Sequence, residues 1–295
     1  MLTSILRLPA GTMVPFLILF LCMGCSGEAK KESMNLFDKD NLIAWCIVPF
    51  DAADRTPEER ADMLDELGIS KLAYDYRDRH IPSFGKEIGV LRNHGIQLSA
   101  VWLWLEPVGD SVFSSANRAI LRTLEETGAG TDLWVSFPAQ VFEGISEPEK
   151  LERATAAIGE VLQWAEEHGC TISLYNHGDW FGEPENQIRI IQALGSDRVR
   201  IVYNFHHGHH HIERFEGMFQ RMLPYLSTVN INGMRVEGPK IITVGEGDRE
   251  AEMLRIIKNS GYSGPIGIIG HTEGEDIRVV LERNLAGLER LKSGL

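Results

Sequence analysis

Residues 56–76, TPEERADMLDELGISKLAYDY, contain one complete unit of the pattern that decides the fold. Thr56, followed by a proline and then by Glu59, is typical of a capped helix start. Gly68 is typical of a helix end, because glycine adopts the left-handed cap conformation at the least cost. The apolar run Lys71–Tyr76 then predicts a buried strand. The stretch therefore predicts a helix, a glycine stop and a strand, in that order.

The same unit recurs from Asn41 to the C-terminus. Six predicted helices stop at a glycine shortly before the next strand, at Gly68, Gly95, Gly128, Gly169, Gly195 and Gly261. The eight predicted strands are Leu42–Val48, Lys71–Tyr76, Gln97–Trp104, Asp132–Phe137, Thr171–Asn176, Val199–Asn204, Thr228–Asn232 and Pro265–Gly270. Eight such units in about 250 residues predict an α/β protein with a single (β/α)8 TIM barrel. No glycine-rich dinucleotide fingerprint follows the first strand, which disfavours an open nucleotide-binding sheet.

The first 25 residues differ from the rest of the chain. Arg7 is the only charged residue before Cys25, and Val14–Met23 is an apolar run of signal-peptide length, too short to span a bilayer. The run leads into LCMGCS (21–26), which resembles a bacterial lipoprotein processing site with Cys25 as the lipidated residue. An ordinary signal peptide or an uncleaved anchor is the alternative. The predicted organisation is a lipoprotein-type signal peptide (1–25), a flexible tether (26–40) and the TIM barrel (41–295).

Charge and composition narrow the range of partners. Hydrophobic residues make up 43% of the chain and charged residues 24%, as in ordinary globular proteins. The formal net charge of −13 would become −14 without residues 1–24, because only Arg7 is lost. Such a surface repels phosphate backbones, so nucleic acid is not expected as a partner. We expect an exported protein, periplasmic or on the cell surface, that meets the membrane only through a lipid anchor at Cys25.

Polar residues cluster at the predicted carboxyl ends of the strands, where TIM barrels carry their active sites. On the seventh strand Asn230 and Asn232 alternate with apolar residues, so the strand phase places them inside the barrel. The ends of the fifth, sixth and eighth strands add Tyr175, Asn176, His177, Asn204, His207 and His271. These side chains are predicted to line a pocket.

Carboxylates and tryptophans come from other strands. Asp75 follows the second strand and Glu183 follows the fifth, and both are predicted to transfer protons together with His177. Trp102 and Trp104 lie on the third strand, and indole faces suit the C–H faces of sugar rings. A small carbohydrate is therefore the predicted ligand, although each tryptophan taken alone could belong to the core.

Residues 204–211, NFHHGHHH, contain five of the ten histidines. Such a tract can bind metal, but successive histidines at a helix start often point in different directions. We expect a site role for His207 and expect His209–His211 to be solvated. The two cysteines of the barrel, Cys46 and Cys170, are expected to be buried core residues.

Four motifs resemble the sugar phosphate isomerase/epimerase-like barrels, also called xylose-isomerase-like. They are Leu174–Gly178 (LYNHG), Asn204-x-x-His207, Gly245–Asp248 (GEGD) and Gly261–Pro265 (GYSGP), and the resemblance spans residues 42–291. The family's usual metal site takes Glu, Asp, His and Glu from the fifth to eighth strands. The matching places here are Tyr175, Asn204, Asn230 and about Gly270. Because none of these is a carboxylate or an imidazole, that metal site is not carried over to this chain.

Two hypotheses for proton transfer stay open. In the first, His177, His207 and His271 hold a divalent transition metal such as zinc, cobalt, nickel or manganese. In the second, imidazoles transfer protons directly, together with Asp75 or Glu183. Both suit removal of a proton next to a carbonyl, followed by reprotonation in an isomerase or epimerase, or by loss of an oxygen substituent in a lyase.

The resemblance implies an enzyme that acts on a sugar or keto-sugar, including 3-keto-glycosides, and the export expected from the N-terminal residues fits glycosides better than phosphosugars. The alternative is a barrel without catalysis that binds carbohydrate at the cell surface. The two differ in turnover, because only an enzyme exchanges a substrate proton with solvent.

Overall fold

A computed structural model of the protein describes residues 36–107, 111–177 and 179–295. The strands are β1 (Leu42–Trp45), β2 (Lys71–Tyr74), β3 (Gln97–Trp104), β4 (Asp132–Ser136), β5 (Thr171–Tyr175), β6 (Val199–Asn204), β7 (Leu226–Ile231) and β8 (Ile266–Ile269). The helices are α1 (Pro57–Leu67), α2 (Phe84–His94), α3 (Ser115–Thr127), α4 (Glu147–Glu167), α5 (Pro184–Leu194), α6 (Phe215–Met222), α7 (Glu250–Asn259) and α8 (Ile277–Lys292). The 3-10 helices are Lys39–Asn41, Asp78–Ser83, Ala139–Phe142, Phe205–His207, His209–Arg214 and Leu223–Tyr225. The predicted signal peptide and the predicted lipidated Cys25 lie outside the described residues.

The eight strands form a closed, parallel barrel in chain order. Pairing of β1 with β8, from Leu42 opposite Ile266 to Trp45 opposite Ile269, closes it. A helix follows each strand, so the predicted (β/α)8 barrel is confirmed. Among the residues described, no helix is both long enough and apolar enough to cross a membrane.

Local sequence signals act as predicted at the helix ends. At the start of α1, the Glu59 backbone N–H donates to Thr56 Oγ1 at 3.3 Å, and the Thr56 N–H donates to the Glu59 carboxylate at 2.9 Å. At its end, Gly68 has φ of 72° and its N–H bonds back to α1 carbonyls. The other five predicted glycine stops also have positive φ. The repeat in the sequence therefore fixes where helices start and stop.

Strand β1 ends three residues earlier than predicted, at Trp45. Cys46 has φ of 56°, which is left-handed backbone that costs a residue with a side chain about 1 kcal/mol or more. The left-handed turn ends the strand at Trp45, and the Cys46 side chain packs in the same buried cluster as Trp45 and Tyr175 inside the barrel.

Aromatic side chains fill the centre of the barrel. The ring centroids of Trp45 and Trp134 lie 4.8 Å apart, and Trp45 Nε1 donates to the Tyr175 hydroxyl at 3.2 Å. These three side chains are at most 2% exposed. They fill the barrel interior and form the floor of the space between the polar carboxyl ends of the strands.

A buried ion pair joins α1 to α2 on the outside of the barrel. Arg60 Nε lies 3.1 Å from Glu87 Oε1, and the two residues are 4% and 0% exposed. Burial raises the pKa of Glu87. Since an unpaired buried charge is costly, each partner depends on the other for its stability.

Candidate active site

Two adjoining cavities lie at the carboxyl ends of the strands. The inner pocket, of about 150 Å³, is lined by Trp45, Cys46, Phe50, Asp75, Arg77, Trp102, Tyr175, His177, His206, His207 and His271. The outer cleft, of about 740 Å³, is lined by Tyr76, Arg77, Asp78, Arg79, Trp102, Trp104, Glu106, Ser114, Ala116, Asn117 and His177. Arg77, Trp102 and His177 belong to both linings, so the outer cleft leads to the inner pocket.

Four imidazoles from the ends of β5, β6 and β8 line the inner pocket. The ring centroid of His207 lies 4.4 Å from that of His177 and 3.6 Å from that of His206, which lies 6.1 Å from His271. Burial lowers the pKa of all four rings, and for His206 and His207 the neighbouring imidazoles lower it further. The rings are therefore neutral at pH 7, and each has one ring nitrogen that can accept a hydrogen bond.

The Asp75 carboxyl lies in the same pocket, and Asp75 is 3% exposed. Burial raises its pKa to about 7, although Arg77 and the backbone N–H of Val48, 3.5 Å from Oδ1, favour the anion. Both protonation states of Asp75 are therefore populated near neutral pH, which is the range suited to proton transfer.

The thiol of Cys46 also belongs to the inner pocket, although Cys46 was predicted to be a core residue. Burial, followed by the charge of Asp75, raises the pKa of Cys46. The side chain is therefore a protonated thiol and not a thiolate nucleophile. The predicted burial is confirmed, since Cys46 is 6% exposed and Cys170 is 1% exposed.

Three buried polar atoms of the inner pocket have no hydrogen-bond partner among the described residues. They are Trp102 Nε1, His177 Nδ1 and His206 Nδ1. Buried polar atoms rarely stay unpaired in folded proteins, so water or a ligand can supply a partner to each of the three. An indole N–H donor beside imidazole nitrogens can be satisfied by hydroxyl groups of a ligand.

The indole rings of Trp102 and Trp104 lie side by side next to these atoms. Their centroids are 5.6 Å apart, and Trp104 meets the edge of His177 at 5.0 Å. Both tryptophans are only partly buried and both line the outer cleft, so they are not simply core residues. Their predicted contact with a sugar ring stays a prediction.

The predicted amides lie lower, in the wall of the barrel. Asn204 Nδ2 donates to Asn176 Oδ1 at 2.9 Å, and Asn230 Nδ2 donates to Asn204 Oδ1 at 2.7 Å. Asn232 Nδ2 donates to the carbonyl oxygens of Gly233 and Lys240. All four asparagines are at most 2% exposed. Asn204, Asn230 and Asn232 line neither the inner pocket nor the outer cleft, and these amides tie β5, β6, β7 and the following loop together. Their predicted contact with substrate stays a prediction.

The residues at the family's usual metal positions do not fit a hard divalent cation. The Tyr175 hydroxyl accepts from Trp45, and the Asn204 amide oxygen accepts from Asn230. On β8 the expected place was about Gly270, but a Cβ there would meet Ile277 and Ile47 on the helix side. The inward residue is its neighbour Ile269, which is apolar. None of these places offers the anionic oxygen that such a cation prefers.

The histidines predicted to hold a metal do not form one cluster. His271 stacks on Phe50, with ring centroids 3.7 Å apart. Within the part of the chain that the structure describes, only one group of three or more potential ligands comes within 4.8 Å, and it is Glu183, His210 and His211. The structure therefore does not unite His177, His207 and His271 around one ion.

Glu183 lies outside the inner pocket, in a third cavity of about 330 Å³. This flanking cavity is lined by Asn176, Asp179, Trp180, Gly182, Glu183, Asn186, His207 and His210. Hydrogen bonds from His211, and then from Arg214 and His210, lower the pKa of Glu183 to about 2. Glu183 therefore stays ionised at neutral pH, which suits it to binding a cation better than to the predicted proton transfer. The expectation that His211 is solvated is wrong, because it is 1% exposed.

Five residues of the inner pocket lie outside the predicted set, namely Trp45, Cys46, Phe50, Arg77 and His206. Arg77 and His206 follow Asp75 and Asn204 by two positions, so the strand phase could have identified both. The Arg77 guanidinium lies 5.3 Å from the ring centroid of Phe50. Phe50 comes from the loop after β1, where the sequence has no periodic signal.

The chain matches one family model and is similar in fold to solved structures. Residues 52–286 match the family model described as xylose isomerase-like TIM barrel. No curated protein matches the chain in sequence. The structure of 3-keto-D-glucoside 4-epimerase from E. coli is similar, with 15% identity, a TM-score of 0.64 and coverage of 86% of this chain and 99% of that one.

Two further solved structures are similar to the same extent. The IolI protein, solved with a bound zinc atom, has 15% identity and a TM-score of 0.63 over 86% of this chain and 97% of that one. The D-allulose 3-epimerase of Methylomonas sp., in complex with D-allulose, has 14% identity and a TM-score of 0.61 over 86% of this chain and 96% of that one. At these identities the likeness shows a shared fold.

Proposed function

Because the chain belongs to the xylose isomerase-like TIM barrel family, we propose that it is a sugar-modifying enzyme that transfers a proton next to a carbonyl group. The observation that carries the proposal is the composition of the inner pocket. One buried carboxyl group, Asp75, shares this pocket with four neutral imidazoles and with three unpaired polar atoms. A polyhydroxylated carbonyl compound could exchange protons with the carboxyl group and the imidazoles, and its hydroxyl groups could bond to the unpaired polar atoms.

The size of the inner pocket favours one small ring. Its volume of about 150 Å³ is below the roughly 300–1,000 Å³ of sites for drug-sized ligands. Trp102 lies at its border with the outer cleft, where an indole face can pack on a sugar ring. A free keto-sugar would fit in the inner pocket. A 3-keto-glycoside would place its keto-sugar ring there and its substituent in the outer cleft.

We assign the role of base to His177 and the role of acid to Asp75. The neutral His177 imidazole removes the proton from the carbon next to the carbonyl, and the C–H electron pair forms the carbon–carbon double bond of an enediol. Protonated Asp75 gives its proton to the carbonyl oxygen. In an epimerase, the enediol oxygen returns its proton to Asp75 while a proton from solvent reaches the opposite face of the same carbon, and His177 gives its proton to solvent. In a lyase, the enediol oxygen returns its proton to Asp75, the bond from the neighbouring carbon to its oxygen substituent breaks, and the leaving oxygen takes the proton held by His177.

Arg77 supports this chemistry through its charge. Its guanidinium lines both the inner pocket and the outer cleft, where it can stabilise the negative charge that develops on the carbonyl oxygen. No step is assigned to a metal in the inner pocket, because the side chains at the family's metal positions do not fit one.

The alternative is a barrel that binds carbohydrate without turning it over. The lack of the family's carboxylate ligands favours this alternative, and the same inner pocket would bind the carbohydrate.

Solvent-proton exchange distinguishes the enzyme from the binding protein. Ketohexoses and 3-keto-glucosides would be incubated with the protein in D2O and followed by NMR, with Asp75→Asn, His177→Gln and, as a remote surface control, His94→Gln. Deuterium at the carbon next to the carbonyl with wild type and His94→Gln, but not with the other two variants, would support the enzyme. Saturable binding without exchange would support the binding protein.

We also propose that the protein is exported and anchored through a lipid on Cys25. The apolar run before LCMGCS supports this. Labelling cells with a tagged fatty acid tests it, since wild type should carry the label and Cys25→Ala should not. Label on neither protein would contradict the anchor.

A further inference from the structure

The flanking cavity contains a second arrangement of chemistry-bearing side chains, outside the inner pocket. We propose that Glu183, His210 and His211 bind a divalent transition metal of the zinc class. The site lies between the start of α5 and the 3-10 helix His209–Arg214. It is independent of the sugar chemistry proposed for the inner pocket.

The distances already match metal coordination. Glu183 Oε1 lies 3.2 Å from His210 Nε2 and 3.2 Å from His211 Nε2. Tetrahedral zinc with bonds of about 2.0–2.2 Å holds its ligand atoms roughly 3.3–3.5 Å apart. All three potential ligand atoms lie within 4.8 Å of one another. An ion can therefore enter among them with small shifts of the side chains.

Tyr203 and Arg214 hold two of the proposed ligands in place through hydrogen bonds. His211 is held by its other ring nitrogen, because Nδ1 lies 3.1 Å from the hydroxyl of the buried Tyr203. Histidines that bind metal use this second nitrogen for an orienting hydrogen bond. The second oxygen of Glu183 accepts from Arg214 Nη2 at 2.5 Å, which fixes the carboxylate. Successive histidines would be expected to diverge, yet His210 and His211 converge on one oxygen.

Charge and protonation also suit a cation. Glu183 accepts hydrogen bonds from both histidines and from Arg214, so a bound ion would take the place of the imidazole protons that lie between the two rings and the carboxylate. Arg214 removes part of the negative charge, so we expect weaker binding than in a structural zinc site with thiolate ligands.

The site has an open side. The side chain of His210 is 51% exposed, and the flanking cavity beside it leaves space for water or a ligand group to complete the coordination. His207 lines both this cavity and the inner pocket. A bound ion would therefore lie behind one wall of the inner pocket and not among its four imidazoles.

Cobalt(II) titration of the chelator-treated full chain in detergent tests the proposal. Wild type should bind one equivalent with the visible absorption of tetrahedral cobalt, and zinc should displace it. Glu183→Gln and His210→Ala should each weaken binding by 10-fold or more, while His209→Ala, in the same histidine tract, should bind like wild type. Tyr203→Phe should weaken binding by about 10-fold, because the orienting hydrogen bond is lost.

Other outcomes would overturn the site. Wild type that binds no cobalt would do so, as would binding that survives in both Glu183→Gln and His210→Ala. Loss of binding in His177→Ala, with these two variants unchanged, would place the ion in the inner pocket instead. Thermal unfolding of each variant shows that it is folded, and His210 is exposed enough to be replaced without disturbing the core. None of these measurements depends on sugar turnover, so the site and the enzymatic proposal stand or fall separately.

Discussion

Trp45 and Tyr175 lie across the barrel from each other, and the indole N–H of Trp45 donates to the Tyr175 hydroxyl at 3.2 Å. This bond joins β1 to β5 beneath the inner pocket. Tyr175→Phe removes the acceptor and leaves a buried indole N–H unpaired, so we expect a loss of roughly 1–3 kcal/mol in the free energy of unfolding. Urea denaturation measures it. An unchanged unfolding midpoint would show that the hydrogen bond contributes nothing to the floor of the pocket.

The raised pKa of Asp75 gives stability a particular pH dependence. Its pKa is about 7 in the folded protein and ordinarily 3.8. Between these values the folded state binds more protons than the unfolded state, so stability falls as pH rises from about 4 to 7 and then levels off. The full effect is on the order of 4 kcal/mol, at about 1.4 kcal/mol per pH unit.

Asp75→Asn should remove this dependence and make the protein more stable than wild type at pH 8. Denaturation midpoints of both proteins from pH 4 to 8 provide the measurement. Cys46, Arg77 and the backbone N–H of Val48 surround the carboxyl in both proteins, so the difference between the two curves isolates Asp75. Parallel curves would mean that Asp75 titrates at an ordinary pKa.

The same group should shape the pH profile of turnover. If protonated Asp75 is the acid, kcat/KM falls as pH rises through about 7. The base, His177, is lost at low pH, and because burial lowers the pKa of His177 that limb lies below 6.5. A bell-shaped profile with its optimum on the acidic side of neutrality is expected. Activity that instead rises through pH 7 would assign the role of base to Asp75.

Strand phase explains which parts of the site the sequence predicts well. The alternation along β5 and β6 correctly places Tyr175 and Asn204 toward the barrel axis. On β8 an offset of one position is enough to exchange the outward Gly270 for the inward Ile269, since the phase has a period of two. Phase says which way a side chain points, but not whether it reaches a cavity. Asn230, for example, points inward, but its side-chain amide N–H donates to Asn204 Oδ1 in the wall of the barrel.

The histidine tract shows where such reasoning stops. Beyond β6 the chain enters two short 3-10 helices, and neither strand nor α-helical periodicity applies there. The directions of His206 and His211 depend on that local backbone and on partners that are distant in sequence. Glu183 lies 28 positions before His211 and still accepts its hydrogen bond. No spacing rule connects the two, so their meeting emerges only from the folded barrel.

The ion pair between α1 and α2 offers a test of the barrel's outer layer. Glu87→Ala leaves the Arg60 guanidinium buried without its partner, and we expect a loss of roughly 3–5 kcal/mol in the free energy of unfolding. The control is the exposed pair of Glu58 and Lys86, 2.9 Å apart, between the same helices. Lys86→Ala should leave the unfolding midpoint unchanged, since solvent screens exposed charges. Equal effects of the two substitutions would show that burial does not set the strength of these pairs.

Trp104 distinguishes a glycoside substrate from a free sugar. It lines the outer cleft but not the inner pocket, whereas Trp102 lines both. If a 3-keto-glycoside places its reacting ring in the inner pocket, the substituent lies against Trp104. Trp104→Ala should then raise KM for a 3-keto-glucoside by about 10-fold, since stacking on an indole contributes on the order of 1 kcal/mol or more. For a free ketohexose the change should be small, and Trp164→Ala, on α4 beside His168, should alter neither. An equal rise for both substrates would mean that the reacting ring itself rests on Trp104, which would move the site of chemistry outward from Asp75.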